Sequence, residues 1–502
     1  MQRILFIALL IPLLLASCVK EERYLTDQSA RLSFSDDTVA FDTVFSTMAT
    51  ITRQVRVYNT YDEPLLIDAV TLQGGPASRF RINVDGDTSF VARDVVIAAH
   101  DSIFIFVQAN INPNDQTTPY LVEDHIVFSF NDKQQQLLLT AYGRNAVYHH
   151  PTHPRSIYQL YINQWGQVDT MWMPYSIIDC ANWDHTRPHV IMGYAVVNSN
   201  ETLHLTAGDE LYFATDSYLW VYDSATLDCR GTQGNPVRFT SLRHDGHYDS
   251  LPGQWGYIWL SSGSKDNVMD WTRVENATYG IVVDTCVTGS PTLTITNSVV
   301  QNNSMCGIVG QGAWIVGDNL LVACCGESLM NLQYGGRYLF SNSTFANYWR
   351  YSSRKTPSLI INNYYQYDRQ TIFPRPIEQA EFRNCIIYGT YSGRDNSGEL
   401  LFDYYDGATM NATFLNCLLR TSLIDTLGHP TFAPAPTLSG SNLIIGQDPL
   451  FVAPNEHDFT PGKQSPAIAA GSNDFITIPT DLNGNARGIP PTIGAFEAIQ
   501  ED

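Results

Sequence analysis

The sequence predicts an all-β protein: an N-terminal β-sandwich, then a right-handed parallel β-helix solenoid, then a C-terminal capping segment. Three observations predict it. Charged residues are scarce at 16% while aromatics reach 12%, a composition that favours strands and turns over helices. No amphipathic helical stretch follows the first residues. A short motif recurs through the second half at a nearly constant period, the sequence mark of a solenoid. The expected boundaries are 1–17 for a leader, 18–31 for a tether, 32–146 for the sandwich, 147–188 for a linker, 189–446 for the β-helix and 447–502 for the cap.

The leader comes first in chain order. Arg3 precedes the apolar run from Ile4 to Leu15, which is of signal-peptide length and too short for a permanent membrane span. It ends in Leu15-Ala16-Ser17-Cys18. This resembles a bacterial lipobox, in which the small residues fit a peptidase cleft and the Cys18 thiol takes the lipid. Val19-Lys20-Glu21-Glu22 follows and resembles the surface-export signal of Bacteroidetes lipoproteins. The resemblance implies an outer-membrane, lipid-anchored, cell-surface chain whose first partner is membrane lipid. Four Asp-Ser/Thr-apolar triplets, Asp37-Thr38-Val39, Asp42-Thr43-Val44, Asp101-Ser102-Ile103 and Asp223-Ser224-Ala225, resemble O-glycosylation sites of exported proteins of that phylum.

Net charge excludes one class of partner. Acidic residues number 50 against 29 basic, for −21, whereas nucleic-acid binding needs basic surface to displace counterions. Nine cysteines are present. Apart from Cys18 they lack the close regular spacing of a disulfide framework, so most read as small buried residues. The adjacent Cys324 and Cys325 must face opposite sides of an extended strand.

From Leu32 to Asn145 short alternating strands, such as Gln54-Val55-Arg56-Val57-Tyr58 and Ile103-Phe104-Ile105-Phe106-Val107, are separated by turn residues. Val57-Tyr58-Asn59 followed by Pro64-Leu65-Leu66-Ile67 resembles immunoglobulin-like domains, which implies a spacer or adhesion module. The stretch 147–188 lacks clear periodicity. It holds possible metal ligands, His149, His150, His153, Cys180, Asp184 and His185, with His189 just beyond. Their spacing matches no structural zinc pattern. The interleaved Trp165, Trp172 and Trp183 favour packing over metal, so no metal and no cofactor are expected.

The repeat defines the solenoid. Thr294-Ile295-Thr296-Asn297-Ser298-Val299-Val300 is echoed around Asn319, Asn342, Asn384 and Asn416. The first intervals, 297 to 319 and 319 to 342, are 22 and 23 residues; the later ones, 42 and 32, leave room for inserted loops. Asp270-Trp271-Thr272 reads as an earlier degenerate copy. One such coil cannot bury its apolar face alone, so neighbours stack. The five asparagines are expected to form a corner ladder, and Cys385 and Cys417 to stack in the core. The phrases Thr202 to Gly208, Gly231 to Thr240 and Leu251 to Gly256 resemble a β-helix family of Bacteroidetes surface proteins. The end of the chain resembles the terminal "choice-of-anchor" type segment of many bacterial β-helix proteins. Its elements are Asp448-Pro449-Leu450-Phe451, Ser465-Pro466-Ala467-Ile468, Asp481-x-x-Gly484-x-x-Arg487 and Ile493-Gly494-Ala495-Phe496-Glu497. It is expected to cap the open end of the helix. Asp481, Asn483 and Asn485 start like a calcium loop, but Ala486 stands where a glycine is needed and Thr492 where a Glu is needed, so the reading is an Asx-rich turn.

For function, the reading is a glycan-binding or adhesive β-helix protein, with a polysaccharide as its possible partner. The alternatives are a polysaccharide lyase or hydrolase, and a structural stalk. An enzyme would need an acid/base pair with a cation for a uronate. The candidates are Arg350, Arg354 and Lys355, with Tyr364, Tyr365, Tyr367 and Arg369 nearby, and the carboxylates Asp403 and Asp406. Carboxylates ordered beside one cation on a single face would favour a lyase. An aromatic strip would favour binding, and a featureless polar face a stalk. Cys18→Ala is expected to abolish incorporation of labelled palmitate and to release the chain from the membrane fraction. A C18A protein that stays lipid-labelled would refute the anchor.

Overall fold

The computed structural model describes residues 23–46, 50–112, 120–162, 168–243, 246–285, 289–367, 371–391, 398–421 and 438–498. The leader and Cys18 lie outside the described residues. No helix among the described residues is long and apolar enough to cross a membrane. The chain divides into two compact units, Met1–Asn145 and Ala146–Asp502.

In the first unit two sheets share one core. Ser33–Phe34, Arg53–Tyr58, Ser102–Ala109 and Phe80–Val84 form one sheet; Thr38–Phe45, Lys133–Arg144, Tyr120–Phe130, Leu65–Leu72 and Val91–Ile97 form the other. Val55, Val57, Phe80 and Ile105 from the first meet Ile67, Val70, Phe128 and Leu139 from the second, all fully buried. The alternation that buries every second residue is the period of a strand. Asn59 is buried and sets the turn after its strand. Its amide donates to the carbonyls of Glu63 (2.8 Å) and Ile97 (3.1 Å), and its Oδ1 accepts from the Tyr61 N–H (3.0 Å).

The second unit is a parallel β-helix. Its coils contribute strands to three long sheets of eleven, ten and nine strands among the described residues. Every pairing in the eleven- and nine-stranded faces is parallel. The ten-stranded face begins with one antiparallel pair, His153–Ile162 with Val168–Ile177, and is parallel thereafter. The stretch 147–188 is therefore not a linker. Val147–His149 starts the eleven-stranded face, and the antiparallel pair starts the ten-stranded one. Its lack of solenoid periodicity reflects its place: a first coil meets a neighbour on one side only.

The asparagines mark one corner. Each lies between a strand of the nine-stranded face and one of the eleven-stranded face, with φ of 48° at Asn297, 54° at Asn319, 46° at Asn342, 49° at Asn384 and 52° at Asn416. Asparagine tolerates this left-handed conformation better than most side chains. Trp271 occupies the same corner at 48°, and Asn442 continues it at 52°. The Asn319 amide donates to Asn297 Oδ1 (2.8 Å) and the Asn384 amide to Asn342 Oδ1 (2.9 Å), while Asn342 bonds Asp318 (2.9 Å). Their backbone N–H groups bond the following coil, as from Asn342 to the Arg383 carbonyl (2.8 Å). Cys385 and Cys417 follow two of these corners and are fully buried. Cys325 points into the central core, and Cys324, at φ 52°, into a second cluster outside it.

That second cluster corrects the expected cap. Residues 447–498 do not close the end of the solenoid; they return along its side. Leu482, Ile493, Ala495 and Phe496 pack on Val299, Leu321, Ala346, Ile386 and Leu418 of successive coils. These outward positions are apolar and need cover more than the end does. The strap meets the corner ladder rung by rung, descending. Asn416 bonds the Ala470 carbonyl (3.3 Å), Asn384 that of Ser472 (2.9 Å), Asn342 that of Phe475 (2.9 Å) and Asn319 that of Thr480 (3.3 Å). Asp481 accepts from the N–H groups of Asn483 (2.9 Å), Asn485 (2.7 Å) and Glu497 (2.8 Å), the Asx-rich turn read from the sequence. Arg487 is buried and donates to Asn319 Oδ1 (2.8 Å) and the Gly494 carbonyl (2.8 Å).

Asn342→Ala should destabilise the protein by about 1–3 kcal/mol, since it leaves the Phe475 carbonyl without its side-chain donor and takes one of several donors from Asp318. Asn342→Gly should cost less, because glycine accepts the positive φ without strain. Chemical denaturation of both variants measures the difference; equal losses would show that the backbone conformation is no part of the cost.

Candidate functional site

Of the sequence-derived candidates, the structure brings Tyr364 and Asp403 together, while Arg354 and Arg350 are engaged elsewhere. Arg354 and Glu399 are buried and form a bidentate pair, 2.6 Å from Nη2 to Oε1 and 3.0 Å from Nη1 to Oε2. Glu399 also accepts from the Ser358 N–H (3.0 Å) and hydroxyl (2.6 Å) and from the Tyr391 N–H (2.8 Å). Such a saturated carboxylate holds two loops together and has no lone pair to spare for chemistry. Lys355 is exposed, and its carbonyl accepts from the Tyr391 hydroxyl (3.1 Å). Asp403 accepts from the Tyr364 hydroxyl (3.0 Å) and from the Asn362 amide (3.1 Å) of the strand beside it. Asp406 lies on the surface. Arg350 lines a separate cleft under the strap. Arg369 lies outside the described residues.

Of the possible metal ligands, His149 and His189 pack with one another, while His153 stacks on Tyr175 and His185 bonds Asp209. His149 Nε2 and His189 Nδ1 share a hydrogen bond (2.8 Å), and His189 Nε2 donates to the Asp184 carbonyl (2.9 Å). Trp183 stacks on His189 with ring centroids 3.5 Å apart. No group of three metal-ligating side chains occurs among the described residues.

An aromatic strip runs over the outer side of the ten-stranded face. Tyr194 and Tyr218 are register partners and stack at 4.3 Å; Trp220 and Trp259 are partners and stack at 4.7 Å. Parallel in-register strands impose this, because equivalent side chains recur at the interstrand spacing. The rings spend their flat faces on each other, and Tyr194 and Trp220 are buried. The strip is thus a structural ladder and not a platform for sugar rings. Burial, and then Tyr218, Asp284 and Tyr279, push the Tyr257 hydroxyl up to about 12.

The ladder ends at a cleft. Trp259 Nε1 donates to Asp284 Oδ2 (2.8 Å), and Asp284 lines a groove of about 640 Å³. The groove follows the corner between the ten- and nine-stranded faces. Its aromatic walls are Trp314, Tyr334 and Tyr365, and its polar groups include Asp284, Arg337 and Glu378. Tyr365 belongs to an inserted hairpin, Tyr364–Gln366 paired antiparallel with Ile372–Pro374. This insertion falls in the long interval between Asn342 and Asn384. Tyr334 and Tyr365 meet edge to face at 5.2 Å. Arg337 is the register partner of Trp314, lies 5.1 Å over its ring and pairs with Glu378. Gly336, at φ 114°, allows the close approach of the neighbouring coil: a Cβ there would stand 2.4 Å from the Ala313 carbonyl oxygen. Burial raises the Asp284 carboxyl above its ordinary value, against the lowering hydrogen bonds of Trp259 and Ser262. Sequence reading singled out Tyr365 but missed Asp284, Trp314 and Tyr334, which sit on three other coils.

Against known proteins, no family model matches the chain, and no curated protein does. Among solved structures it is similar to the catalytic unit of a GH87 α-1,3-glucanase from Streptomyces thermodiastaticus. That match covers 78% of this chain and 89% of the other at 9% identity, with a TM-score of 0.22. A protease, VesB of Vibrio cholerae, matches 24% of this chain at 14% identity (TM-score 0.17). A family 123 glycoside hydrolase from Clostridium perfringens matches 28% at 8% identity (TM-score 0.17). The chain spans 33% and 43% of the length of the last two. Likenesses at these scores carry no inference about activity.

The histidine cluster gives a pH dependence. Burial, then the charges of His189 and His150, lower the His149 pKa from 6.5 to about 4. The unfolded chain therefore binds more protons between those values, so stability is full above about pH 6.5 and falls as the pH drops toward 4. Thermal melting at pH 7 and pH 5 should show the loss, and His149→Gln should reduce it; an unchanged difference would place the acid sensitivity elsewhere.

Proposed function

We propose that the chain is a lipid-anchored surface protein of the Bacteroidetes type that binds an extended glycan in the hairpin groove and does not cleave it. The observation that carries the reading is the composition of that groove. Three aromatic side chains wall it, and a carboxylate, a guanidinium and a second carboxylate are fixed beside them. Flat apolar rings with a few oriented polar groups suit sugars, which present both kinds of surface. The groove lies across the ends of successive strands, so it runs along the solenoid axis as an extended polymer would require. The lipobox ending at Cys18 and the following Lys20-Glu21-Glu22 support the surface anchor, and the N-terminal unit serves as a spacer between anchor and solenoid.

One observation favours a hydrolase as the second reading. Asp284 is held above its ordinary pKa in the same groove as Glu378, and glycoside hydrolysis uses two carboxylates of unequal acidity. Against it, Glu378 is already paired with Arg337.

Affinity electrophoresis of the ectodomain through gels carrying different polysaccharides tests both. Retardation without degradation, weakened about tenfold in Trp314→Ala or Tyr365→Ala, is the expected result. A cleared zone lost in Asp284→Asn would replace binding by catalysis. Retardation unaffected by either aromatic variant would remove the groove from the function.

A further inference from the structure

A second cleft, of about 980 Å³, opens on the eleven-stranded face beside the returning C-terminal strap. Its floor follows from the register of that face. One outward column runs Glu210, Arg238, Arg273, Val299, Leu321, and its neighbour continues from Glu275 to Gln301 and Ala323. From Val299 onward the first column is mostly apolar, Val299, Leu321 and Ile386 with Thr344 among them, and the strap covers it with Leu482 and Phe496. Before Val299 its positions are charged, and the face stays open as the cleft, which the strap's Phe459, Leu482 and Phe496 border.

The charges in it are unevenly matched. Arg273 pairs with Glu275 (2.8 Å), which also accepts from the Gln301 amide (2.7 Å). Arg238 is exposed and is the register partner of Arg273, so two guanidinium groups stand on adjacent rungs. Arg350 enters from the far side, where it donates to the Asn455 carbonyl (3.0 Å). Among the described residues, neither Arg238 nor Arg350 has a carboxylate within ion-pair distance. His457 also lines the cleft, near Arg350 and Arg273, with Nδ1 3.4 Å from Gln301 Oε1. Burial, and then Arg350, hold its imidazole below the ordinary pKa, with Glu275 and Arg273 adding smaller opposed effects, so it is neutral at pH 7. Asp249, Glu456 and Asp458 also line the cleft, and Asp458 is engaged by the Thr460 N–H (3.0 Å).

We infer that this cleft binds the anionic group of an acidic glycan, a carboxylate or a sulfate, through the guanidinium groups of Arg238 and Arg350. Arginine presents a planar fork of donors that matches either oxyanion, and charge-assisted bonds of this kind are the strong ones. Arg238 and Arg273 stand on adjacent strands, where like charges are unfavourable on their own; Glu275 pairs with Arg273 and only partly answers Arg238, so an oxyanion at Arg238 lowers the remaining cost. The surrounding chain carries a net charge of −21, so an acidic ligand gains nothing from the surface at large and must be recognised locally. This site is separate from the hairpin groove and stands or falls independently of it.

Isothermal titration of the ectodomain with tetragalacturonate, a sulfated dextran oligomer and neutral maltotetraose tests the inference. At least one acidic probe should bind while maltotetraose does not compete with it. The probe that binds identifies carboxylate or sulfate as the group. Arg238→Gln and Arg350→Gln should each weaken that binding about tenfold, the loss of roughly one charge-assisted contact. Both side chains are exposed, so the variants should melt like the parent protein, and Arg238→Lys should fall between parent and Gln. Trp314→Ala should leave acidic binding unchanged, which separates this cleft from the groove. Acidic probes that bind no better than maltotetraose, or a double Gln variant that binds them like the parent, would overturn the inference.

Discussion

The left-handed corner between the nine- and eleven-stranded faces is the constraint on which the solenoid depends. A parallel coil must turn sharply after each strand, and here one residue at φ near 50° makes the turn at every coil from Trp271 to Asn442. An amide side chain at that position does more than tolerate the conformation. It bonds the coil behind through its side chain and the coil ahead through its backbone, so each corner fixes two interstrand steps. The same side chains then hold the backbone of the C-terminal strap. A single residue type thereby sets the turn, the stacking and the docking of a segment up to 161 residues away, the separation of Asn319 and Thr480.

Where the strap lies is decided by the outward residues of the eleven-stranded face. Side chains inside a β-helix must be apolar along its whole length, but those outside are free to change character, and here they change at Val299. Downstream, Leu321, Ile386 and Leu418 demand cover and receive it. Upstream, Arg238, Arg273 and Glu275 do not, and a cleft remains. The buried Arg487 and Asp481 belong to this same solution, since they fold the strap onto the corner ladder instead of serving as a ligand site.

In-register stacking also limits what the aromatics can do. Trp220 and Trp259, or Tyr194 and Tyr218, use their faces against each other because parallel strands place them one spacing apart. Other rings face the hairpin groove: Tyr365, which the inserted hairpin sets against Tyr334, and Trp314 at the start of a coil strand. The Arg354–Glu399 pair is the counterpart among charged residues: two groups that look reactive in a list of residues are consumed in holding loops to the coil.

The sequence by itself determined the all-β class, the solenoid and its corner, because an asparagine recurring at 22 and 23 residues, and again after longer inserted loops, is a local pattern that successive coils repeat. It also determined the Asx-rich turn at Asp481, whose partners lie within a few residues except for Glu497. The tertiary structure alone decided that 147–188 is a first coil, since an end coil carries no repeat of its own, and that the last segment is a lateral strap, since its partners are spread over successive coils. It alone assembled the two clefts. Asp284, Trp314, Tyr334 and Tyr365 come from four different coils, as Arg238, Arg350 and His457 come from two coils and the strap. Stacking brings such residues within reach by adding one interstrand step per coil, a distance that sequence separation does not reveal when inserted loops make the coils unequal in length.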